Sequence, residues 1–258
     1  MTTSFKRRLQ NKELLFGSWN QLGSPQTTEI MARAPFDFAA IDMEHTSIAS
    51  HELIGSIQIS QLAGQPVLVR VGSHDPLLSK RALDAGANGI ISPMVETVDQ
   101  AKRARDGGYY APRGTRGVGL ARAQGFGLDF DRYRDSSDDE LVLIVQIEHW
   151  RGVENLEAIL DVDGVDGFLV GPYDLSASFG KPGNFADPEV ASALSRIAGS
   201  VKDHDKPSGL HVVHPGAEGL AARVAEGYRF IAYGTDMLIF ARAVAEMTGH
   251  FDELRKGA

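Results

Sequence analysis

Two carboxylates close apolar, strand-like runs in this chain: Glu148 ends Leu141-Val-Leu-Ile-Val-Gln-Ile-Glu148, and Asp174 ends Gly167-Phe-Leu-Val-Gly-Pro-Tyr-Asp174. Carboxylate oxygens at the exits of consecutive buried strands suit a hard divalent cation such as magnesium or manganese. Waters and a chelating substrate would complete its octahedron. The same positions also suit helix N-caps at strand-to-helix turns. Position alone therefore leaves metal ligand and cap both open. Gln146 lies two residues before Glu148 and shares its strand face, where it can hold a water or a substrate oxygen.

Further polar residues fall at comparable places. Trp19 ends the first apolar run, Asp42-Met-Glu-His45 follows the second, and Arg70 ends Pro66-Val-Leu-Val-Arg70. His45 can act as a base because imidazole titrates near neutrality, although a solvated loop histidine is the commoner case. Arginine keeps its charge in an apolar setting, so Arg70 can polarise a carbonyl or bind a carboxylate. Its alternative is a structural ion pair with Asp42 or Glu44. His211 and His214, on or just past the seventh run, are read as ordinary histidines rather than site residues. No serine or cysteine nucleophile stands at these positions. The lysines are Lys6, Lys12, Lys80, Lys102, Lys181, Lys202, Lys206 and Lys256. All but Lys181 fall on helices, at termini or ahead of a strand, so imine chemistry inside a barrel is disfavoured. Carbanion chemistry would then need a metal as its electron sink.

Eight strand candidates position these residues: Leu15–Trp19, Phe38–Asp42, Pro66–Arg70, Gly89–Ser92, Leu141–Ile147, Gly167–Val170, Ser208–Val213 and Phe230–Tyr233. Helical patterns alternate with them over Pro25–Ala34, Ser50–Leu62, Pro76–Ala85, Val98–Asp106, Gly152–Leu160, Pro188–His204, Gly216–Glu226 and Met237–Phe251. Strict alternation predicts a parallel sheet, and eight units predict a closed (β/α)8 TIM barrel, a single domain over residues 1–258. A doubly wound open sheet would need a phosphate-binding glycine turn after an early strand, and Arg116-Gly-Val-Gly119 follows no strand. In a barrel, functional residues gather where strands end. The longest connection, Gly107–Glu140, ends in the acidic run Asp135-Ser-Ser-Asp-Asp-Glu140 and is expected over that carboxyl-end face.

The chain has 258 residues, no cysteine and a net charge of −8. Disulfides and thiolate zinc sites are excluded, a cytoplasmic location is permitted, and nucleic-acid binding is disfavoured for want of a basic run. No apolar run is long enough to span a membrane, and the first residues lack an apolar signal core.

Seven short motifs in order give the chain its resemblance to the HpcH/HpaI aldolase family, the metal-dependent pyruvate aldolases. They are Gly17-Ser-Trp19, Ile41-Asp-Met-Glu-His45, Val69-Arg70, Asp84-Ala-Gly-Ala, Pro112-Arg-Gly-Thr-Arg-Gly117, Gln146-Ile-Glu148 and Gly171-Pro-Tyr-Asp-Leu-Ser176. The resemblance implies a class II aldolase acting on 4-hydroxy-2-oxo acids through the enolate of pyruvate or hydroxypyruvate, with an aldehyde as second partner. It implies that Glu148 and Asp174 hold the divalent cation, whether magnesium, manganese, cobalt or zinc. Backbone N–H groups of Tyr173 and Asp174 would take the substrate carboxylate. Arg70 would stabilise the enolate, His45 would move the proton through a water, Gln146 would hold the substrate and Trp19 would line the entrance. It also implies a catalytic aspartate at Asp84 paired with the histidine, and a homo-oligomer, commonly a hexamer. Asp84 falls near the end of its predicted helix, at the far end of the barrel. Either that helix stops early or Asp84 reaches a neighbouring subunit. Tyr173 stands where the family more often has a small residue, and His149 where threonine is common. The alternatives are a citrate-lyase-β-like acyl-CoA lyase, which the acidic run disfavours, and a non-catalytic barrel that binds a keto acid.

Overall fold

The computed structural model describes residues 4–214, 216–251 and 255–256. Eight parallel strands close into a barrel in sequence order: β1 Leu15–Asn20, β2 Phe38–Asp42, β3 Val67–Arg70, β4 Gly89–Ser92, β5 Val142–Ile147, β6 Gly167–Val170, β7 Ser208–Val212 and β8 Phe230–Tyr233. The helices are α1 Phe5–Gln10, α2 Pro25–Ala32, α3 Ser50–Leu62, α4 Pro76–Asp84, α5 Val98–Gly108, α6 Phe130–Glu140, α7 Trp150–Glu154, α8 Leu156–Leu160, α9 Pro172–Ser178, α10 Pro188–Asp203, α11 Ala217–Glu226 and α12 Asp236–Thr248.

The two-residue period of each strand sorts its side chains between two cores. Leu15, Phe38, Leu68, Val142, Leu169 and Phe230 pack together inside the barrel. Ile41, Val69, Leu143, Val145 and Phe168 face the helices. Glycine makes the inner packing possible. A Cβ on Gly17 would come within 2.2 Å of the Phe38 ring, and one on Gly209 within 2.1 Å of the Phe230 ring. Continuing the alternation turns Trp19, Asp42, Arg70, Gln146, Glu148 and His211 inward at the carboxyl ends of their strands.

The amino end of the barrel is shut by α1. Lys6 Nζ donates to the carbonyls of Leu141 at 2.8 Å and Asp138 at 3.2 Å, and pairs with Asp166 at 3.2 Å. The Asp166 carboxylate in turn accepts the Leu143 N–H. Gly107–Glu140 lies at this same end, not over the carboxyl-end face. It joins α5 to β5, and helix-to-strand connections in a barrel run at the amino end. Arg122 within it donates to the Ala85 carbonyl just before β4. The acidic run is the last part of α6, so it has no bearing on which ligand the opposite face takes. The segment expected as one helix over Gly152–Leu160 is two, α7 and α8. Asn155 leaves helical geometry between them (φ −97°, ψ 8°), and its side-chain N–H donates to the Glu96 carbonyl at 2.8 Å.

Lys6 and Asp166 are both almost wholly buried, so removing one charge leaves the other uncompensated. Lys6→Met is expected to lower unfolding stability by about 3 kcal/mol in urea titrations, with Lys6→Met/Asp166→Asn recovering part of the loss. Equal stability of Lys6→Met and the parent chain would remove the ion pair from the account of barrel closure.

Candidate functional site

The mouth of the barrel is built around one ion pair. Asp42, fully buried at the end of β2, accepts from Arg70 at the end of β3 through two bonds, Nε to Oδ1 at 2.9 Å and Nη2 to Oδ2 at 2.7 Å. Gln21 donates to the same carboxylate at 2.9 Å, and the Glu44 N–H at 3.0 Å. Burial disfavours the Asp42 anion, but the Arg70 hydrogen bonds and charge outweigh it, and the carboxyl is held below its ordinary range. The third Arg70 nitrogen, Nη1, lies 3.3 Å from Glu44. Glu44 does not gain as much. Burial pushes its carboxyl up to about 7 against the Arg70 charge, with Asp42 and Asp174 adding repulsion.

Glu148 lies across the mouth, just past β5, and is buried. One oxygen accepts the Met94 N–H at 2.8 Å, and the other accepts from the Gln146 amide. Gly171 gives this carboxylate its room, since a Cβ there would stand 2.6 Å from Glu148 Oε2. Burial pushes the carboxyl up to about 7. The Met94 and Gln146 hydrogen bonds oppose the rise, while the Glu44 and Asp174 charges add to it. Asp174 is exposed in the first turn of α9, where Pro172 opens the helix. The first-turn N–H groups of Tyr173 and Asp174 have no carbonyl one turn back within the helix to accept from them. Tyr173 itself is largely exposed.

Three carboxylates that repel one another, two with raised pKa values, form a site that a cation would relieve. Among the described residues no three His, Cys, Asp or Glu side chains converge on one point as a complete metal cage. The protein would therefore supply two oxygen ligands and leave the rest of the shell to waters and substrate, as magnesium-type ions accept. Gln146 Oε1 is buried without a hydrogen-bond partner, which adds an unused acceptor beside Glu148. The donor set thus fits a hard divalent cation.

The remaining residues divide. His45 is exposed with Nε2 3.7 Å from Glu44, at the rim of the same mouth. Trp19 is buried beneath Arg70, whose guanidinium carbon lies 4.8 Å from the ring centroid. Asp84 is not part of this cluster. Helix α4 runs through it, so the helix does not stop early, and Asp84 pairs with buried Arg116 at 2.7 Å near the amino end of the barrel. His214 lies outside, against Arg242. His149 caps α7 by accepting the Arg151 N–H, beside Glu148 but turned to helix capping. His211, in contrast, belongs to the mouth. It stacks on Trp19 with centroids 4.4 Å apart and planes 19° apart, and its Nε2 lies 3.0 Å from the Gly234 carbonyl. The inward phase of β7, two residues beyond Gly209, was the sequence signal for it.

The sequence profile of the HpcH/HpaI aldolase/citrate lyase family matches residues 15–243. The chain belongs to this family. It is 38% identical over 249 residues to a 5-keto-4-deoxy-D-glucarate aldolase of Enterobacter sp. (strain 638), covering 96% of both chains. A crystal structure of an HpcH/HpaI aldolase/citrate lyase family protein from Burkholderia cenocepacia J2315 superposes with a TM-score of 0.87 at 35% identity, covering 98% of this chain and 100% of that one. A crystal structure of an HpcH/HpaI aldolase from Desulfitobacterium hafniense DCB-2 gives 0.86 at 25% identity, covering 98% of each. The protein is therefore an enzyme of the carbon–carbon lyase class. No helix among the described residues is long and apolar enough to cross a membrane.

Burial pushes the His211 imidazole down to about 4 from its ordinary 6.5, with Arg70 adding to the fall and the Gly234 bond opposing it. A depressed histidine stabilises the fold fully above 6.5, and that contribution is lost as pH falls towards 4, because the unfolded chain takes the proton first. Between pH 7 and pH 4 the parent chain is expected to lose roughly 3 kcal/mol more than His211→Leu, measured by urea unfolding at several pH values. A stability gap that does not change with pH would show that His211 is not held neutral.

Proposed function

We propose that this family member is a divalent-metal-dependent aldolase that cleaves or forms 4-hydroxy-2-oxo acids, with a pyruvate-type 2-oxo acid and an aldehyde as its small-molecule partners. The observation that carries the reading is the buried Glu148 carboxylate on the inner wall, facing the Arg70–Asp42 pair, with Asp174 at the first turn of the next helix. Glu148 and Asp174 would hold the cation, whether magnesium, manganese, cobalt or zinc. When bound, it supplies the electrophile that draws charge onto the keto oxygen of the 2-oxo acid. The relatives named 5-keto-4-deoxy-D-glucarate aldolase point to a hydroxylated sugar acid as substrate.

The protein's own residues then have distinct tasks. The N–H groups of Tyr173 and Asp174 receive the substrate carboxylate, and Gln146 steadies the substrate beside Glu148. In cleavage, the C4 hydroxyl loses its proton to a water held by His45. The C3–C4 bond breaks, and its electron pair moves through C3 towards the keto oxygen, where Arg70 meets the growing negative charge. C3 then takes a proton, and the aldehyde and the 2-oxo acid leave. Trp19, packed under Arg70, keeps the guanidinium from swinging away.

A homo-oligomer, a hexamer by resemblance, and a cytoplasmic location complete the proposal. The apolar side chains that α12 leaves in solvent, Ile239, Phe240, Val244 and Met247, support assembly. Asp84 would then act on the His45 of a neighbouring subunit. The rival acyl-CoA lyase reading predicts binding of CoA thioesters, which equilibrium dialysis would detect.

Glu148→Ala is expected to abolish pyruvate release from 4-hydroxy-2-oxo acids and to remove high-affinity Mn²⁺ binding measured by EPR, with the circular dichroism spectrum unchanged. Parent-level turnover by this variant would refute the metal assignment. Arg70→Ala is expected to lower kcat/KM by roughly two to three orders of magnitude. Mixing inactive His45→Ala and Asp84→Asn chains during refolding is expected to regain activity. A mixture as inactive as its parts would place Asp84 outside the reaction.

A further inference from the structure

His211 lies at the barrel mouth, stacked on Trp19, and the reaction just described leaves it without a task. We infer that His211 is a specificity-determining residue, whose Nδ1 accepts a hydrogen bond from a hydroxyl on the aldehyde half of the substrate. The inference rests on the aldolase reading and gives it a substrate class: 4-hydroxy-2-oxo acids that carry a further hydroxyl next to the carbon bond that breaks.

The geometry sets the tautomer. A carbonyl oxygen only accepts, so the 3.0 Å contact between Nε2 and the Gly234 carbonyl places the proton on Nε2. Nδ1 is then a lone pair. No group among the described residues donates to it, and it is not among the fully enclosed polar atoms that lack a partner, so it keeps some access to the mouth. The ring cannot turn to offer its other edge without losing the Gly234 bond, and the stack on Trp19 holds its plane. The charged neighbours that act on it are Arg70 and Asp42, already tied to each other by two hydrogen bonds. The ring is therefore a fixed, neutral acceptor.

Its placement says which part of the substrate it meets. Arg70 on β3 and His211 on β7 both lie against Trp19 on β1. Arg70 stands over the oxygen that gains charge. The group on the other side of Trp19 faces the portion of the substrate beyond the breaking bond, because Glu148, Asp174 and the start of α9 occupy the 2-oxo acid end. Leucine at this place would give the aldehyde half an apolar wall. Histidine gives it one acceptor and no added donor, which favours a hydroxyl and leaves Nδ1 unpaired against a methyl.

The test compares 4,5-dihydroxy-2-oxopentanoate with 4-hydroxy-2-oxopentanoate, which differ only in the hydroxyl at issue, using the full chain with Mn²⁺ and coupled pyruvate detection. The parent chain is expected to prefer the dihydroxy acid in kcat/KM. His211→Leu is expected to cut that preference about tenfold, chiefly through KM, with the monohydroxy acid little affected. His211→Asn, which keeps a side-chain acceptor, is expected to restore part of the preference. A merely structural role would lower both substrates together. An unchanged ratio in both variants, or a parent chain with no preference, overturns the role of His211 and leaves the aldolase standing. A parent chain that releases pyruvate from neither acid overturns the aldolase reading and this inference with it.

Discussion

The site depends on the buried pair between Arg70 and Asp42. A guanidinium inside a barrel carries a desolvation cost of several kcal/mol, and only a close, fully hydrogen-bonded carboxylate offsets it. The bidentate geometry does more than neutralise charge. Two parallel bonds hold the planar guanidinium in one orientation, and Trp19 packs beneath it. The third nitrogen is thereby aimed at the mouth. Of the two readings left open for Arg70, the ion pair is present, and its geometry is compatible with the catalytic role proposed for the remaining nitrogen.

Once Arg70 is committed to Asp42, it cannot also neutralise the other carboxylates. Glu44 receives only one longer contact from it, and Glu148 receives none. Both rise to about 7 because burial penalises their anions. A barrel mouth with three acids that have no cation of their own and one already paired arginine carries excess negative potential at the place where an anionic 2-oxo acid would have to bind. A divalent cation would resolve both problems at once, holding the acids ionised and offering the substrate a positive face. Sterics explain why Gly171 is glycine: a Cβ there would stand 2.6 Å from Glu148 Oε2 and displace that side chain.

Much of this was legible in the sequence, for a physical reason. Strands buried on both faces read as continuous apolar runs, and their ends bracket the barrel; β2, β4, β6 and β8 have the bounds the residues alone suggest. The alternation within each run then points Trp19, Asp42, Arg70, Gln146 and Glu148 inward. What was not legible depends on the third dimension or on local competition. The connection Gly107–Glu140 looks functional by length, but its end of the barrel is decided by its running from helix to strand. Helices α6 and α9 were hidden by polar or turn-like composition, in Phe130–Glu140 and Pro172–Ser178. The break between α7 and α8 is a side-chain bond from Asn155, invisible to periodicity. His211 and His214 are three positions apart and look alike, yet strand phase turns His211 into the mouth, while His214 lies past the end of β7, against Arg242.

The two ends of the barrel solve the same problem in opposite ways. At the amino end, Lys6 spends its charge on Asp166 and backbone carbonyls, and Arg116 spends its charge on Asp84, so that each buried cation has a partner. These pairs hold that end together, while single atoms there, among them Arg116 Nε and Gln65 Oε1, stay without a hydrogen-bond partner. At the carboxyl end the charges do not balance: Asp42 has Arg70, Glu44 shares it through one longer contact, and among the described residues Glu148 pairs with no cation, while Gln146 Oε1 and Trp19 Nε1 are buried without a hydrogen-bond partner. Unmatched polar groups cost stability. A ligand that matched them would recover that cost, and here they ring the mouth on β1 and β5 and just past β2. The unbalanced carboxylates, rather than the fold, thus mark the carboxyl end as the one suited to a charged ligand.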